Sequence, residues 1–287
     1  MHQTLRIRRA TAPHWVGDGF PVHSLFSYAD GPSVSPFLLL DYASPTTFAP
    51  ATTPRGVGPH PHRGFETVTV VYQGEVSHRD SAGHGGTIGP GDVQWMTAAR
   101  GVVHEEFHSD AFTRSGGAME MVQLWVNLPA RSKLAEPRYQ DLRAAAIPNV
   151  ALPGGAGRVR VIAGAFGDAR GPAQTVTPIV LWDVALGPAG SELPLVLPAG
   201  FTVMVLVRRG ALLVDRNRQV GGRELAQWTA AAAPTTLRAS EPDTQCLVLA
   251  GQKIDEPVVG HGPFVMNTRA EIATAIDDFQ AGRMGAL

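Results

Sequence analysis

The sharpest chemistry-bearing pattern in this sequence is His60-Pro61-His62 in GVGPHPHRGFET, answered further along by His104-Glu105-Glu106 in ARGVVHEEF. Successive side chains on a β-strand point to opposite faces, so H-x-H and H-x-E each project two ligands to one side. Two such pairs on neighbouring strands converge on one point. Three imidazoles and one carboxylate then make an N3O set for a divalent first-row metal, with about two of six octahedral positions open. Glu106 is the expected carboxylate, because two residues along a strand put it only about 7 Å from His104. Glu66 shares the parity of His60 and His62 but lies about 13 Å beyond His62 on a regular strand. It is read as a hydrogen-bond partner behind the ligands, or as the alternate ligand if Gly64 bends the chain. Glu105 points the other way and is expected in solvent.

Nine of the ten histidines lie in the first 108 residues. His2, His14, His23 and His261 carry no claim, and His78 and His84 flank RDSAG as members of a solvated turn. His108 shares the parity of His104 and Glu106, which leaves open a place at a cavity rim. The stretch GHGGTIGPGD has neither GxGxxG spacing nor a GKS/T ending, so it is turn chemistry rather than a phosphate cradle. Cys246 is the one cysteine, which excludes an internal disulfide framework and any CxxC zinc or redox pair. A metal must therefore be held by nitrogen and oxygen.

The elements that position these residues are short. Apolar or alternating runs at 36–41, 66–76, 92–97 and 119–128 are bounded by Gly, Pro, Asp or Ser clusters, and the second half repeats the style at 158–164, 177–186, 202–207, 211–215 and 245–250. With 32 glycines and 23 prolines among 287 residues, the chain reads as an all-β protein of barrels or sandwiches. The halves look like copies. Gly74 after VTVVYQ matches Gly210 after TVMVLVRR, and Gln94-Trp95 can be laid over Gln227-Trp228. Under those offsets His104 falls on Leu237, Glu106 on Ala239, His60 on Val196 and His62 on Pro198, so the second copy keeps no ligand. The stretch 131–157, with Pro137, Pro148, Pro153 and GGAG, is the natural seam. The expected division is an N-terminal metal-binding barrel at 1–130, a linker at 131–157, and a C-terminal barrel without metal at 158–287. That last part ends in a helix capped by Thr268 and Glu271, with Ile272, Ile276 and Phe279 on one face.

A net charge of −1 and no cationic tract argue against nucleic acid as a partner. The opening MHQTLRIRRATAPHWVGDGF has no apolar core of a signal peptide, and no run of about 18 apolar residues occurs, so no membrane span and a cytoplasmic location are expected.

At HPHRGFETVT, GPGDVQWMTAARGVVHEE and EPVVGHGPFVMNTRAEI the sequence resembles the cupin superfamily, and within it closely the pirins, over about residues 20–285. The resemblance implies two stacked cupin-type β-barrels, a bicupin, with iron, Fe(2+), held in the first barrel only. The family's ligands fall on His60, His62, His104 and Glu106, the four already reached from strand parity. Strand parity leaves the ion's identity open among divalent first-row metals, and iron is what the resemblance adds. Two functions follow from the likeness. The first is a quercetin 2,3-dioxygenase-type oxidoreductase, opening a flavonol with dioxygen, with Glu106 as catalytic base if its metal bond is weak or reversible and Phe65, Val68, Met96 and Trp95 as candidates to pack the planar rings. The second is a non-enzymatic, iron- and redox-responsive coregulator that binds a protein partner. The enzyme is weighed ahead. A roomy cavity beside the ligands favours catalysis; a filled one favours signalling.

Overall fold

The computed structural model describes residues 5–215 and 217–287; of the histidines considered above, His2 lies outside the described residues. In chain order the first strands are β1 (Arg6–Arg9), β2 (His14–Val16), β3 (Phe20–Phe26), β4 (Phe37–Phe48), β5 (Gly56–His62), β6 (Phe65–Gln73), β7 (Val76–Asp80) and β8 (Gly85–Ile88). They are followed by β9 (Val93–Thr97), β10 (Val102–His108), the short helix α1 (Asp110–Ser115), β11 (Gly117–Asn127) and β12 (Arg138–Leu142). Then come β13 (Asn149–Leu152), β14 (Gly157–Ala163), a small ribbon of β15 (Ala165–Phe166) and β16 (Ala169–Arg170), β17 (Ile179–Leu186), β18 (Glu192–Leu195) and β19 (Thr202–Arg209). The remainder is β20 (Ala211–Val214), β21 (Arg218–Gly221), β22 (Glu224–Thr229), β23 (Thr235–Ala239), β24 (Thr244–Gly251), the hairpin β25 (Val259–His261) and β26 (Phe264–Met266), and helix α2 (Arg269–Gln280).

The chain forms two compact units that do not follow its linear order. One, the N-barrel, takes residues 12–144 and 254–287; the other, the C-barrel, takes the residues up to Thr11 and 145–253. The N-barrel pairs a seven-stranded sheet, β12-β9-β6-β11-β4-β3-β2, with a four-stranded sheet, β5-β10-β7-β8. The C-barrel repeats both, as β1-β22-β19-β24-β17-β14-β13 and β18-β23-β20-β21. Strand for strand the two orders correspond, which is the internal repeat expected from the sequence.

Three expectations need correcting. The division at 144/145 falls inside the expected seam, but that stretch is not a linker: β12 pairs with β9 in one unit and β13 with β14 in the other. The two chain ends also change places. β1 supplies the edge strand beside β22, because its alternating side chains extend that sheet where β12 extends the other. Helix α2, expected with the second barrel, closes on the first: Ile272, Ala275 and Met284 form one apolar cluster with Val103, Phe264 and Met266. The Thr268–Glu271 capping box is present, satisfying amide donors at its first turn. Phe279 stays 39% exposed, so the buried stripe is narrower than the sequence pattern suggested.

The third correction concerns register. Cross-strand pairing sets Gln94 opposite Thr69 in one barrel and Ala226 opposite Val205 in the other. The structural counterpart of Gln94 is therefore Ala226, and the Gln-Trp match is a slip of one residue. A one-residue slip turns every side chain to the other face. Trp228 accordingly packs in the C-barrel core, while Trp95 shares its face with Val68, away from the N-barrel cavity.

Candidate metal centre

Strands β5 and β10 deliver the imidazoles. β5 is the edge of its sheet, so Pro59 and Pro61, which lack an amide donor, interrupt no ladder on the outer side. His60 stands opposite His104, and His62 opposite Val102. Ring centroids lie 4.3 Å apart for His60 and His104, 4.8 Å for His62 and His104, and 4.9 Å for His60 and His62. One potential ligand atom from each lies within 4.8 Å of the others.

The electrostatics fit a cation. His104 is fully buried, yet neither of its ring nitrogens has a hydrogen-bond partner, and His62 Nδ1 has none either. A buried polar group left unmet costs about 1–3 kcal/mol. An ion where the lone pairs meet would remove that cost. The Gly58 carbonyl lies 2.9 Å from His60 Nδ1; since a carbonyl only accepts, Nδ1 carries the proton and Nε2 keeps its lone pair. Burial lowers the pKa of His60 and drives those of His62 and His104 well below the usual imidazole value, with neighbouring imidazoles adding to the effect in both. All three are neutral at pH 7, the form that ligates.

Glu106 is not part of that trio as placed, because its carboxylate lies outside the group of converging atoms. Its Oε1 is 3.5 Å from Thr69 Oγ1, whose single proton goes to Gln123 Oε1 at 2.7 Å. The carboxyl is thus weakly held, and burial pushes its pKa up to about 7 against the opposing Thr69 contact. A turn of this side chain toward His104, its neighbour on the same face of β10, would make it a fourth ligand.

Glu66 does not serve as the alternate. The chain reverses at Gly64, whose φ of +92° and close approach to Val265, where a Cβ would meet the carbonyl oxygen at 2.0 Å, leave no room for a side chain. β6 then starts with Glu66 on the face opposite Thr67 and Thr69. There it accepts a 2.7 Å hydrogen bond from Thr97, and burial raises its pKa to about 7. Glu105, expected in solvent, is buried and paired with Arg79. His108 bonds the Gly19 carbonyl at 2.9 Å and borders a small hollow with Phe48 and Phe112, away from the imidazole trio.

His78 was missed. It pairs across to Glu106, as Asp80 does to His104, so both face inward; His78 is 5% exposed with neither ring nitrogen bonded. The alternation in VSHRD, with inward Val76, His78 and Asp80, carried that signal. The solvated-turn reading holds for His84 alone, whose side chain is 42% exposed.

Beside the trio opens a cavity of about 310 Å³. Phe20, Val22, Leu39, Met121 and Trp125 make a largely apolar wall, broken by His60, His62, Glu106, Asp41 and Gln123. Of the side chains expected to pack a ring, Val68 and Trp95 face away, Phe65 stacks behind Trp125 at 4.3 Å, and Met96 packs with Ala98 and Val102. The wall comes instead from β3, β4 and β11.

One row of cross-strand neighbours runs over the inner face of the seven-stranded sheet: Ser24, Asp41, Gln123, Thr69, Gln94 and Asp141. The corresponding row of the C-barrel is Val161, Trp182, Val248, Val205, Ala226 and Ile7. Opposite it, pairing gives Leu195 for His60, Thr235 for His104 and Leu237 for Glu106, in place of the counterparts set by the two sequence offsets. Among the described residues the C-barrel gathers no group of metal-ligating side chains.

Comparison with known proteins agrees with this geometry. The Pirin family model matches residues 19–126 and the Pirin C-terminal cupin domain model residues 181–285. A Pseudomonas aeruginosa protein provisionally named quercetin 2,3-dioxygenase is 56% identical over 284 residues, spanning 99% of this chain and 98% of that one. The crystal structure of an Acinetobacter baumannii quercetin 2,3-dioxygenase superposes with a TM-score of 0.95 at 51% identity, covering 99% of both chains. The Escherichia coli bacterial pirin YhhW, solved in complex with nickel(II), shares the fold at a TM-score of 0.67 and 20% identity, covering 88% of this chain and all of that one. With both of its barrels matched and its histidines gathered in the first, the chain belongs to the pirin family of bicupins.

Proposed function

We propose that this protein is a cytoplasmic quercetin 2,3-dioxygenase-type oxidoreductase that opens a flavonol with dioxygen, using one Fe(2+) held by His60, His62, His104 and Glu106. The observation that carries the reading is the open, mostly apolar cavity of about 310 Å³ bordered by His60 and His62 of the imidazole trio, in which the buried His62 and His104 keep ring nitrogens without a hydrogen-bond partner. That volume lies at the lower end of the range for small-molecule sites, and a planar aromatic matches such walls. A filled site would have suited a purely signalling role. The names of the Pseudomonas and Acinetobacter relatives point to the same reaction class.

When bound, a divalent ion supplies Lewis acidity, lowering the pKa of a hydroxyl beside it. The chain's own residues do the rest. His60, His62 and His104 present neutral nitrogens from a rigid strand pair. Phe20, Met121 and Trp125 exclude water from the ring system. Glu106, only weakly held by Thr69, accepts the flavonol 3-hydroxyl proton at a carboxylate oxygen when its bond to the ion opens. Dioxygen is the oxidant: both its atoms enter the ring-opened ester, and carbon 3 leaves as carbon monoxide. The test is metal analysis of anaerobically purified protein, then flavonol and oxygen consumption on the same sample. Stoichiometric uptake of both, abolished in His104→Ala, is the expected result; oxygen uptake unchanged in that variant defeats the proposal.

A further inference from the structure

The polar row beneath the cavity has no explanation in metal binding alone. Its two members that line the cavity are Asp41 and Gln123, paired on β4 and β11. Asp41 is a 7%-exposed carboxylate on an otherwise apolar wall. Ser24 donates to its Oδ1 at 2.5 Å, and no described residue bonds Oδ2. Gln123 is oriented: because Thr69 donates to Oε1 at 2.7 Å, the amide's two N–H donors are turned away from Thr69. Asp41 and Gln123 therefore offer an acceptor and a donor side by side. Strand spacing sets Asp41 about 10 Å across the sheet from Thr69, the residue beneath Glu106. Gln123 and Thr69 carry the polar line from Asp41 to Glu106, so this wall can read a ligand's hydroxyls while the rest of the cavity packs its apolar faces.

We propose that Asp41 and Gln123 form a hydroxyl-recognition subsite on the β4–β11 wall of the cavity, selecting planar aromatics that present a hydrogen-bond-donating hydroxyl to that wall. This deepens the flavonol reading and rests on it. Asp41 accepts the hydroxyl proton in a hydrogen bond, and Gln123 donates to the hydroxyl oxygen. A ligand without that hydroxyl leaves Asp41 Oδ2 unmet, and sites built around a hydrogen bond reject such analogues strongly. The C-barrel is the internal contrast, since Trp182 and Val248 stand at the two equivalent positions and pack in an apolar core.

The test is anaerobic titration calorimetry of the metal-loaded full chain with quercetin and with 3-hydroxyflavone, which shares the 3-hydroxy-4-oxo group but lacks the remote hydroxyls. Wild type should bind quercetin roughly tenfold to a hundredfold tighter, the range for one hydrogen bond to a charged group. Asp41→Ala should collapse that ratio mainly by weakening quercetin, and Asp41→Asn, which keeps an acceptor oxygen and guards against a folding artefact, should preserve part of it. Equal affinity for both ligands in wild type, a ratio untouched by Asp41→Ala, or binding of neither compound would overturn the assignment. Oxygen uptake separates the two readings. The expected ratio without turnover defeats the dioxygenase and leaves the subsite standing; turnover with an unaltered ratio does the reverse.

Discussion

The two barrels share one strand order and differ in what they enclose. Where the N-barrel sets Ser24, Asp41, Gln123, Thr69 and Gln94 in a row, the C-barrel sets Val161, Trp182, Val248, Val205 and Ala226. The apolar row is the ordinary solution to making a stable barrel, since each buried aliphatic side chain contributes about 1.5–3 kcal/mol. Filling the other interior with histidines and carboxyls forgoes that gain and leaves donors and acceptors unmet. One copy of the fold has been kept as a core and the other as a container.

This contrast can be broken at several points. The largest effect is expected from Trp182→Ala in the C-barrel core, which should cost about 3–5 kcal/mol in denaturant unfolding while metal content per folded molecule stays constant. Loss of metal along with stability would show that the barrels do not divide their roles. Next, His104→Ala should weaken metal binding by at least about a hundredfold in chelator competition, above the effect typical of residues that merely orient a ligand. His104→Leu should do the same yet raise the stability of the metal-free protein by about 1–3 kcal/mol, because two unmet nitrogens are replaced by apolar atoms. A metal-free His104→Leu protein that melts below wild type counts against the container picture.

Protons give a finer probe. In the metal-free protein Glu106 titrates near pH 7, raised from its ordinary range, while the buried imidazoles are already neutral there. If Glu106 is the fourth ligand, as proposed, it binds as the carboxylate, so uptake should release close to one proton per ion at pH 6 and little at pH 8, with affinity rising between them. The sign follows from the raised value: Glu106 favours the metal-free fold fully below its unfolded pKa of about 4.3, and that contribution fades as pH climbs through 7. Buffer-dependent calorimetry measures the release, and Glu106→Gln should remove it. Unchanged release in that variant means the carboxyl is not a ligand. The smallest effect is expected from Thr268→Ala at the cap of α2, about 1 kcal/mol of stability with catalysis intact.

How much of this was written locally in the chain follows from how far each signal reaches. His60, His62, His104 and Glu106 stood out because strand alternation operates over two residues. The C-terminal helix was legible for a similar reason, its cap and apolar positions lying within one short stretch. Asp41 was not legible: it ends the run PFLLLD, where one acidic residue after four apolar ones looks like a strand terminus rather than a point on a cavity wall. The polar row is assembled from residues scattered between 24 and 141, and only register brings them together. Register also undid the Gln-Trp match, since identical dipeptides one place apart face opposite ways. His78 was misread because a polar turn close by drew it toward solvent, although its own strand carries it inward.

The exchange of chain ends has a practical consequence for anyone dissecting this protein. A fragment stopping at residue 144 would retain all three imidazoles of the trio but lose Pro263, Val265 and Asp278, which bond the backbone and side chain of Arg63 immediately after His62. A fragment beginning at 145 would lack the strand that completes its larger sheet. Neither piece corresponds to a folded unit, so expression of isolated halves, or fusion partners that disturb either terminus, should damage the barrel encoded at the far end of the gene.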